Sequence, residues 1–171
     1  MNITAKDVNE LRKKTGAGMM DCKKALQESN GDLESAIDFL RKKGQKIAAK
    51  RGDRDAKEGL VISKSSGNTG YLICLNCETD FVAKNNDFGS FANSIIDLAI
   101  NNSSSNLEDL MNSNYTGTDL TVAEKITEQS GVIGEKIEIS YFERISAEKV
   151  VAYNHPGNQI ASMVGLTADA E

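Results

Sequence analysis

Cys22, Cys74, Cys77 and His155 are residue types that catalytic and metal sites use. His155 is the single histidine, so any Ser-His-Asp or Cys-His arrangement must include it, and the chain has no Gly-x-Ser-x-Gly elbow and no family cysteine signature. The four residues would suffice as zinc ligands, but residues three apart on a strand point to opposite faces, and a second close ligand pair is missing. Core cysteines are therefore favoured over a zinc site, and hydrolase chemistry is disfavoured.

The short glycine-containing segment Gly16-Ala17-Gly18 precedes a predicted helix, where backbone N–H groups can hold a phosphate. A phosphate loop also needs a preceding strand and a terminal Gly-Lys-Ser or Gly-Lys-Thr, and both are missing. Lys23-Lys24 and Arg41-Lys42-Lys43 are a second candidate for phosphate contacts, but they lack interleaved aromatic residues and a groove-reading helix. A solvated helix surface is favoured, with nucleic-acid binding as the alternative.

The segment from Cys77 to Asn86 is unusual because it places Phe81 and Val82 on the polar connection that leaves an apolar strand. A large aromatic side chain in such a connection either packs beneath the next helix or projects as an anchor for a partner's pocket. The residues alone favour the packed position, since large aromatic side chains are usually buried.

The first 44 residues predict three short amphipathic helices, which must pack together to persist. A capping box, glycine turns and basic last turns mark their ends. The predicted limits are Thr4 to Lys14, Met19 to Gly31, and Asp32 to just before Gly44.

Residues 45–57 carry many charges and few large apolar side chains, so they predict a linker between domains 1–44 and 58–171. Whether this linker is helical is left open. Beyond it, the apolar period becomes that of strands. The predicted elements are a hairpin over 60–63 and 71–75, helices over 88–100, 107–111 and 121–129, and strands over 137–145, 150–153 and 160–166. The predicted fold class is α+β, a helical bundle followed by an antiparallel sheet with helices on one face.

Charge is distributed unevenly along the 171 residues. Residues 1–54 carry a net charge of +5 and the remainder −10, which suits a basic surface for nucleic acid or an acidic protein, or simply a solvated helix exterior. The composition excludes collagen-like, proline-rich and strongly disordered chains. We expect a soluble cytoplasmic protein, because there is no apolar run of about 18 residues, no signal segment and few cysteines.

Two long motifs stand in register along the chain. The first is Leu11-Arg12-x-x-Thr15-Gly16-Ala17-Gly18-Met19-Met20-Asp21-Cys22-Lys23-Lys24-Ala25-Leu26, followed by Asn30-Gly31-Asp32. The second is Thr79-Asp80-Phe81-Val82-Ala83-Lys84-Asn85. Their order, their spacing and the hairpin between them closely resemble the bacterial translation elongation factor Ts family, and the resemblance runs from Asn2 to about Leu166.

The resemblance implies a guanine nucleotide exchange factor for elongation factor Tu, in its GDP-bound and nucleotide-free forms. It implies no covalent chemistry and no cofactor, and we expect neither membrane nor direct nucleic-acid binding. The N-terminal helices would form a domain similar to ubiquitin-associated domains, and residues 58–171 would be the first half of the family's dimerisation or core domain.

The resemblance also implies roles for individual residues. Thr79, Asp80, Phe81 and Val82 correspond to the exchange element, in which the aspartate and phenylalanine press between helices beside the nucleotide and help to displace magnesium. The implied contacts with the GTPase are Leu11, Arg12, Thr15, Gly16, Met19, Met20, Lys23, Lys24, Ile133, Gly134 and His155.

Bacterial members of this family usually continue well beyond this length, so we expect either a fragment of a longer protein or a short form. Two other functions remain as alternatives to exchange. One is an interaction module that binds a partner without releasing nucleotide. The other is RNA binding through the basic N-terminal domain.

Overall fold

The computed structural model describes residues 3–167 and confirms a mixed α+β fold, with N-terminal helices followed by antiparallel sheets. The elements are, in chain order, α1 (Ala5–Thr15), α2 (Met19–Glu28), α3 (Leu33–Arg51), β1 (Glu58–Ser66), β2 (Thr69–Cys77), α4 (Asp80–Ala83), α5 (Asn86–Asn101), α6 (Leu107–Asn112), α7 (Val122–Ile133), β3 (Glu138–Ser146), β4 (Lys149–Asn154) and β5 (Ala161–Leu166).

The chain divides into two compact units. The first contains the residues up to Asp53 together with Thr127–Glu135, and the second contains Arg54–Ile126 and the residues from Lys136 onward. Helix α7 therefore begins in the second unit and ends in the first. The sequence patterns assigned all of residues 58–171 to one domain and did not predict this grouping of Thr127–Glu135.

The first unit begins with a capping box on α1. The Thr4 hydroxyl accepts a hydrogen bond from the Asp7 N–H, and the Asp7 carboxylate accepts one from the Thr4 N–H at 2.9 Å. These bonds hold the pKa of Asp7 below its ordinary value. Helix α1 ends at Gly16, whose φ of 70° is a left-handed conformation that favours glycine. The core of this unit consists of Val8, Leu11, Ala17, Cys22, Ala25, Leu26 and Ala36.

Helix α3 does not end before Gly44. It continues to Arg51 and takes up the first part of the predicted linker, so the sequence-based helix end was wrong. Gly44 is buried where α3 passes Gly131 of α7, and a Cβ atom on Gly131 would collide with the Gly44 backbone. The glycine at position 44 therefore marks a close approach of two helix backbones and not a helix end.

The sheet of the second unit has the order β1-β2-β3 and is antiparallel throughout. The predicted hairpin is present, with Leu60 opposite Leu75 and the turn at Gly67-Asn68. Helix α5 packs on β1 and β2 through a continuous apolar face. That face consists of Phe88, Phe91, Ala92, Ile95, Ile96 and Ala99.

Strands β4 and β5 form a separate two-stranded sheet, where the sequence patterns predicted a single one. Side-chain and turn contacts attach this hairpin to β1. The Ser63 N–H donates to Asn154 Oδ1 at 2.7 Å, Asn154 Nδ2 donates to the Ser63 carbonyl at 2.8 Å, and the Val61 N–H donates to the Asn158 carbonyl at 2.7 Å. The edge of β1 is thus covered, and the turn between β4 and β5 is positioned.

Candidate functional site

The chain leaving β2 forms a single helical turn, α4, which the sequence patterns did not predict as a helix. Thr79 caps it, because its hydroxyl accepts a hydrogen bond from the Val82 N–H at 3.4 Å. The Cys77 thiol donates to the Thr79 carbonyl at 3.2 Å, and the Lys136 N–H donates to the Glu78 carboxylate at 2.6 Å. The segment that carries Phe81 is therefore held by its own cap and by hydrogen bonds of the residues that precede it.

Phe81 projects from α4 into solvent, and 83% of its surface is exposed. The packed position that the residues alone favoured was wrong. Helix α4 contacts β1 and β2, and Val82 and Ala83 are half-buried. Phe81 therefore occupies the side of this single turn that faces solvent. The buried aromatic side chains next along the chain are Phe88 and Phe91, which belong to α5.

An ion pair lies beside the exposed ring. Lys84 Nζ is 2.6 Å from Asp80 Oδ2, one helical turn apart in sequence. The hydrogen bond from Lys84 lowers the pKa of Asp80, and the same bond raises the pKa of Lys84. The segment thus presents an apolar ring next to an ionised and oriented carboxylate.

A groove of about 800 Å³ opens beside α4. Its lining includes Asp80, Lys84 and Asn93 together with the turn residues Asn158 and Gln159. The structure therefore brings Asp80, one residue of the predicted exchange element, to the same groove as the turn between β4 and β5.

His155 begins this turn and is exposed. Its backbone N–H donates to the Ile160 carbonyl at 2.8 Å, and its ring Nδ1 lies 2.9 Å from the Tyr153 hydroxyl. His155 thus stands on the same turn as the groove residues Asn158 and Gln159, as an exposed and oriented polar group.

Most of the predicted contacts in the first unit lie on its surface. Met19 and Met20 are 55% and 76% exposed at the start of α2, which is unusual for large apolar side chains. Thr15 is half-buried, and its hydroxyl donates to the Leu11 carbonyl at 2.8 Å. The exposed members of this set are Arg12, Gly16, Met19, Met20, Lys23 and Lys24.

Leu11 is different, because it is fully buried in the core of the first unit. Its side chain is not part of the exposed surface, so the expected direct contact does not fit this structure. Leu11 instead packs in the core against which α1 and α2 are held.

Ile133 and Gly134 lie at the end of α7 and are half-buried. Gly134 has a φ of 83°, and its N–H donates to the Ser130 carbonyl at 2.9 Å, which terminates the helix. Helix termination therefore explains the glycine at position 134 without any contact to a partner.

The cysteines lie apart from the exposed surfaces. Cys22 is buried in the first unit, and burial raises the pKa of its thiol. Cys77 is buried and Cys74 half-buried on β2 of the second unit. Between residues 3 and 167, no cluster of three or more His, Cys, Asp or Glu side chains is arranged to hold a metal ion.

Other exposed apolar residues were missed by sequence reasoning, since their strands read as ordinary core strands. They are Tyr141, Val151, Tyr153, Ile160 and Val164. In the described part of the chain, no helix has the length and apolar character that a membrane crossing requires.

Apolar side chains held outward on ordered elements are typical of proteins that act by binding other macromolecules. Residues 78–171 match the sequence model of the family described as Elongation factor TS. The chain belongs to the elongation factor Ts family.

Curated relatives support this assignment over nearly the whole chain. Elongation factor Ts of Christiangramia forsetii is 54% identical over 99% of this chain, that of Amoebophilus asiaticus 52% over 97%, and that of Flavobacterium psychrophilum 50% over 99%. The matches cover 61%, 60% and 61% of those relatives. The chain thus spans about three fifths of their length.

Proposed function

We propose that this chain acts in translation elongation as a guanine nucleotide exchange factor for elongation factor Tu, promoting GDP release by disturbing the magnesium and phosphate site of the GTPase. Family membership supports the role, and the outward position of Phe81 is the observation that carries the mechanism. The proposed setting is the cytoplasm, with no direct nucleic-acid contact.

Exchange of this kind depends on coupled binding equilibria and needs no covalent step. A protein that binds the nucleotide-free GTPase more tightly than the loaded form weakens nucleotide affinity by the same factor, because the coupling is reciprocal. Phe81 would supply the differential contact, as a wedge that fits only when helices beside the phosphates have shifted. The exchange factor thereby selects a minor conformation of its partner.

Asp80 is suited to act beside this wedge. Its carboxylate is ionised at neutral pH and is oriented by Lys84 at 2.6 Å. In nucleotide sites Mg²⁺ is bound by few protein ligands and several waters, so a small displacement of its surroundings favours release. The magnesium in question belongs to the GTPase, and this chain would act on it from outside.

The first unit would provide most of the binding contacts with the GTPase. Its exposed methionines, Met19 and Met20, form an apolar centre, and Arg12, Lys23 and Lys24 lie around them in sequence. Leu11 would act from within the core by positioning this surface. Thr15, Gly16, Ile133, Gly134 and His155 complete the proposed contact set.

Timing the release of a fluorescent GDP analogue from purified elongation factor Tu tests the proposal. We expect the chain to accelerate release and Phe81→Ala to lose roughly thirtyfold or more of that acceleration, since removing a central aromatic anchor costs about 2 kcal/mol or more. Tyr141→Ala is the matched control, because Tyr141 is also an exposed aromatic residue of the second unit.

An intact chain that leaves the release rate unchanged would contradict the proposal. If such a chain still binds the GTPase tightly, it is an interaction module without exchange activity. Equal losses in Phe81→Ala and Tyr141→Ala would remove the specific role of Phe81.

A further inference from the structure

A second groove, of about 380 Å³, lies on the first unit and is lined mainly by lysines. Helix α2 contributes Asp21 and Lys24, and α3 contributes the remaining lining residues. Those are Phe39, Lys42, Lys43 and Lys46, which we call, together with Asp21 and Lys24, the lysine groove.

The spacing of the α3 residues explains why they share one wall. Phe39, Lys42, Lys43 and Lys46 stand three, four and seven residues apart, which places them on one face of a helix. The partly buried side chain of Phe39 packs against the core of the unit, so this face has a fixed orientation. The groove is therefore an ordered feature of the helix pair.

The groove is strongly positive. Lys43 is paired with Asp21, at 2.5 Å, which neutralises both groups. Among residues 3–167, no ion pair is recorded for Lys24, Lys42 or Lys46, and all three are exposed. These uncompensated ammonium groups stand on a chain whose net charge is −5. Their local field would attract an anionic surface.

The surroundings of the groove favour a protein partner over RNA. Met20, 76% exposed, lies one turn before Lys24 on the same face of α2. An apolar contact rimmed by charges is the usual anatomy of a protein interface. Single-stranded RNA is instead bound on several exposed aromatic faces, and the groove has one ring, Phe39, which is partly buried against the core.

We propose that the lysine groove receives an acidic segment of the GTPase partner, rich in Asp and Glu, and that it speeds and orients association without acting on nucleotide release. This inference rests on the proposed function for the identity of the partner. Charges at the rim of an interface chiefly set the association rate and its salt dependence.

The double variant Lys42→Glu/Lys46→Glu tests this role in stopped-flow association with elongation factor Tu. We expect the association rate constant at low ionic strength to fall about tenfold and its dependence on salt to weaken. The GDP-release rate at saturating chain should stay unchanged. Lys6→Glu/Lys149→Glu is the matched control, because it makes the same change in net charge at exposed lysines outside the groove.

Each outcome separates the two proposals. An unchanged association rate, or an equal loss in the control variant, would overturn the lysine groove while leaving exchange activity to be judged by GDP release. Lysine-dependent association without GDP release would support the groove and contradict exchange. If the variant instead loses binding of a single-stranded RNA oligonucleotide and associates normally with the GTPase, the groove is an RNA site and the proposal fails.

Discussion

Phe81 is exposed, although burying its side chain would make the isolated chain more stable. Burying a phenylalanine side chain stabilises a fold by about 1.5–3 kcal/mol relative to leaving it exposed. Its ring is nevertheless 83% exposed on a capped helical turn that packs on the sheet through other residues. The ring is therefore available to a partner without any rearrangement of its own fold.

The ion pair next to this ring gives a prediction about acid titration. Replacing Lys84 by Met should raise the pKa of Asp80 toward its ordinary value of 3.8, because the hydrogen bond from Lys84 is the main cause of its depression. NMR titration of the Asp80 carboxyl would measure the change. Lys64→Met, which removes the partner of Asp97 instead, should leave the Asp80 titration unaltered.

The sign of the linked effect on stability follows from the lowered pKa. A carboxyl group with a depressed pKa in the folded state stabilises that state above its unfolded pKa, and the contribution is lost as the pH falls through the folded value. The Asp80–Lys84 pair should thus support α4 at neutral pH and lose this contribution in acid as Asp80 is protonated, and in strong base as Lys84, whose pKa is raised, loses its proton. Since both groups are well exposed, the effect on global stability should be small.

At the level of secondary structure, the crossing of α3 and α7 depends on two glycines that are not equivalent. A Cβ on Gly44 would meet the Gly131 Cα at an ordinary 3.5 Å, whereas a Cβ on Gly131 would collide with the Gly44 backbone. Close packing of two helix backbones therefore requires glycine on α7 more strictly than on α3.

Alanine substitutions should separate these two positions. We expect Gly131→Ala to lower the free energy of unfolding by about 1–3 kcal/mol through overpacking. Gly44→Ala should be neutral or stabilise by up to about 1 kcal/mol, because alanine is the better helix former. Urea denaturation followed by far-UV circular dichroism measures both, and an effect of Gly131→Ala no larger than that of Gly44→Ala would contradict the difference between the two positions.

Most elements were predictable from the sequence because their signals are local. Thr4 and Asp7 form the predicted capping box, and the apolar period from Phe88 to Ile100 corresponds to α5. Helix α4 was missed because a four-residue turn is too short for a period. The end of α3 was misplaced because a glycine looks the same in a sequence whether it stops a helix or lies under another one.

At the scale of the whole chain, α7 belongs to both compact units, and its last turns group with the N-terminal helices. Gly131 lies against Gly44, and a Cβ atom added at Gly16 would have the Val132 side chain as its nearest neighbour. The end of α7 thus finds its packing partners about ninety residues away or more along the chain. Residues 1–53 are therefore part of what makes this end of α7 stable.

Deleting residues 1–53 should expose this dependence. We expect amide protons of 127–133 to lose protection from hydrogen exchange, because their packing partners are removed, while those of α5 remain protected against the sheet. Exchange monitored by mass spectrometry would measure both segments. Retained protection over 127–133 would mean that the sequence of α7 is sufficient for its own stability.

The sequence by itself determined the family, the α+β class, the charge asymmetry and the limits of most elements, because motifs, periods and caps are read from residues that are near neighbours in the chain. Only the tertiary structure decided that Phe81 faces solvent, that Leu11 does not, and that Lys24 shares a groove with Lys42 and Lys46. The physical reason is that the exposure of a side chain depends on which elements, distant in sequence, pack over it in the folded structure. This packing between elements is decided by the whole fold and is not encoded in the residues adjacent to that position in the sequence.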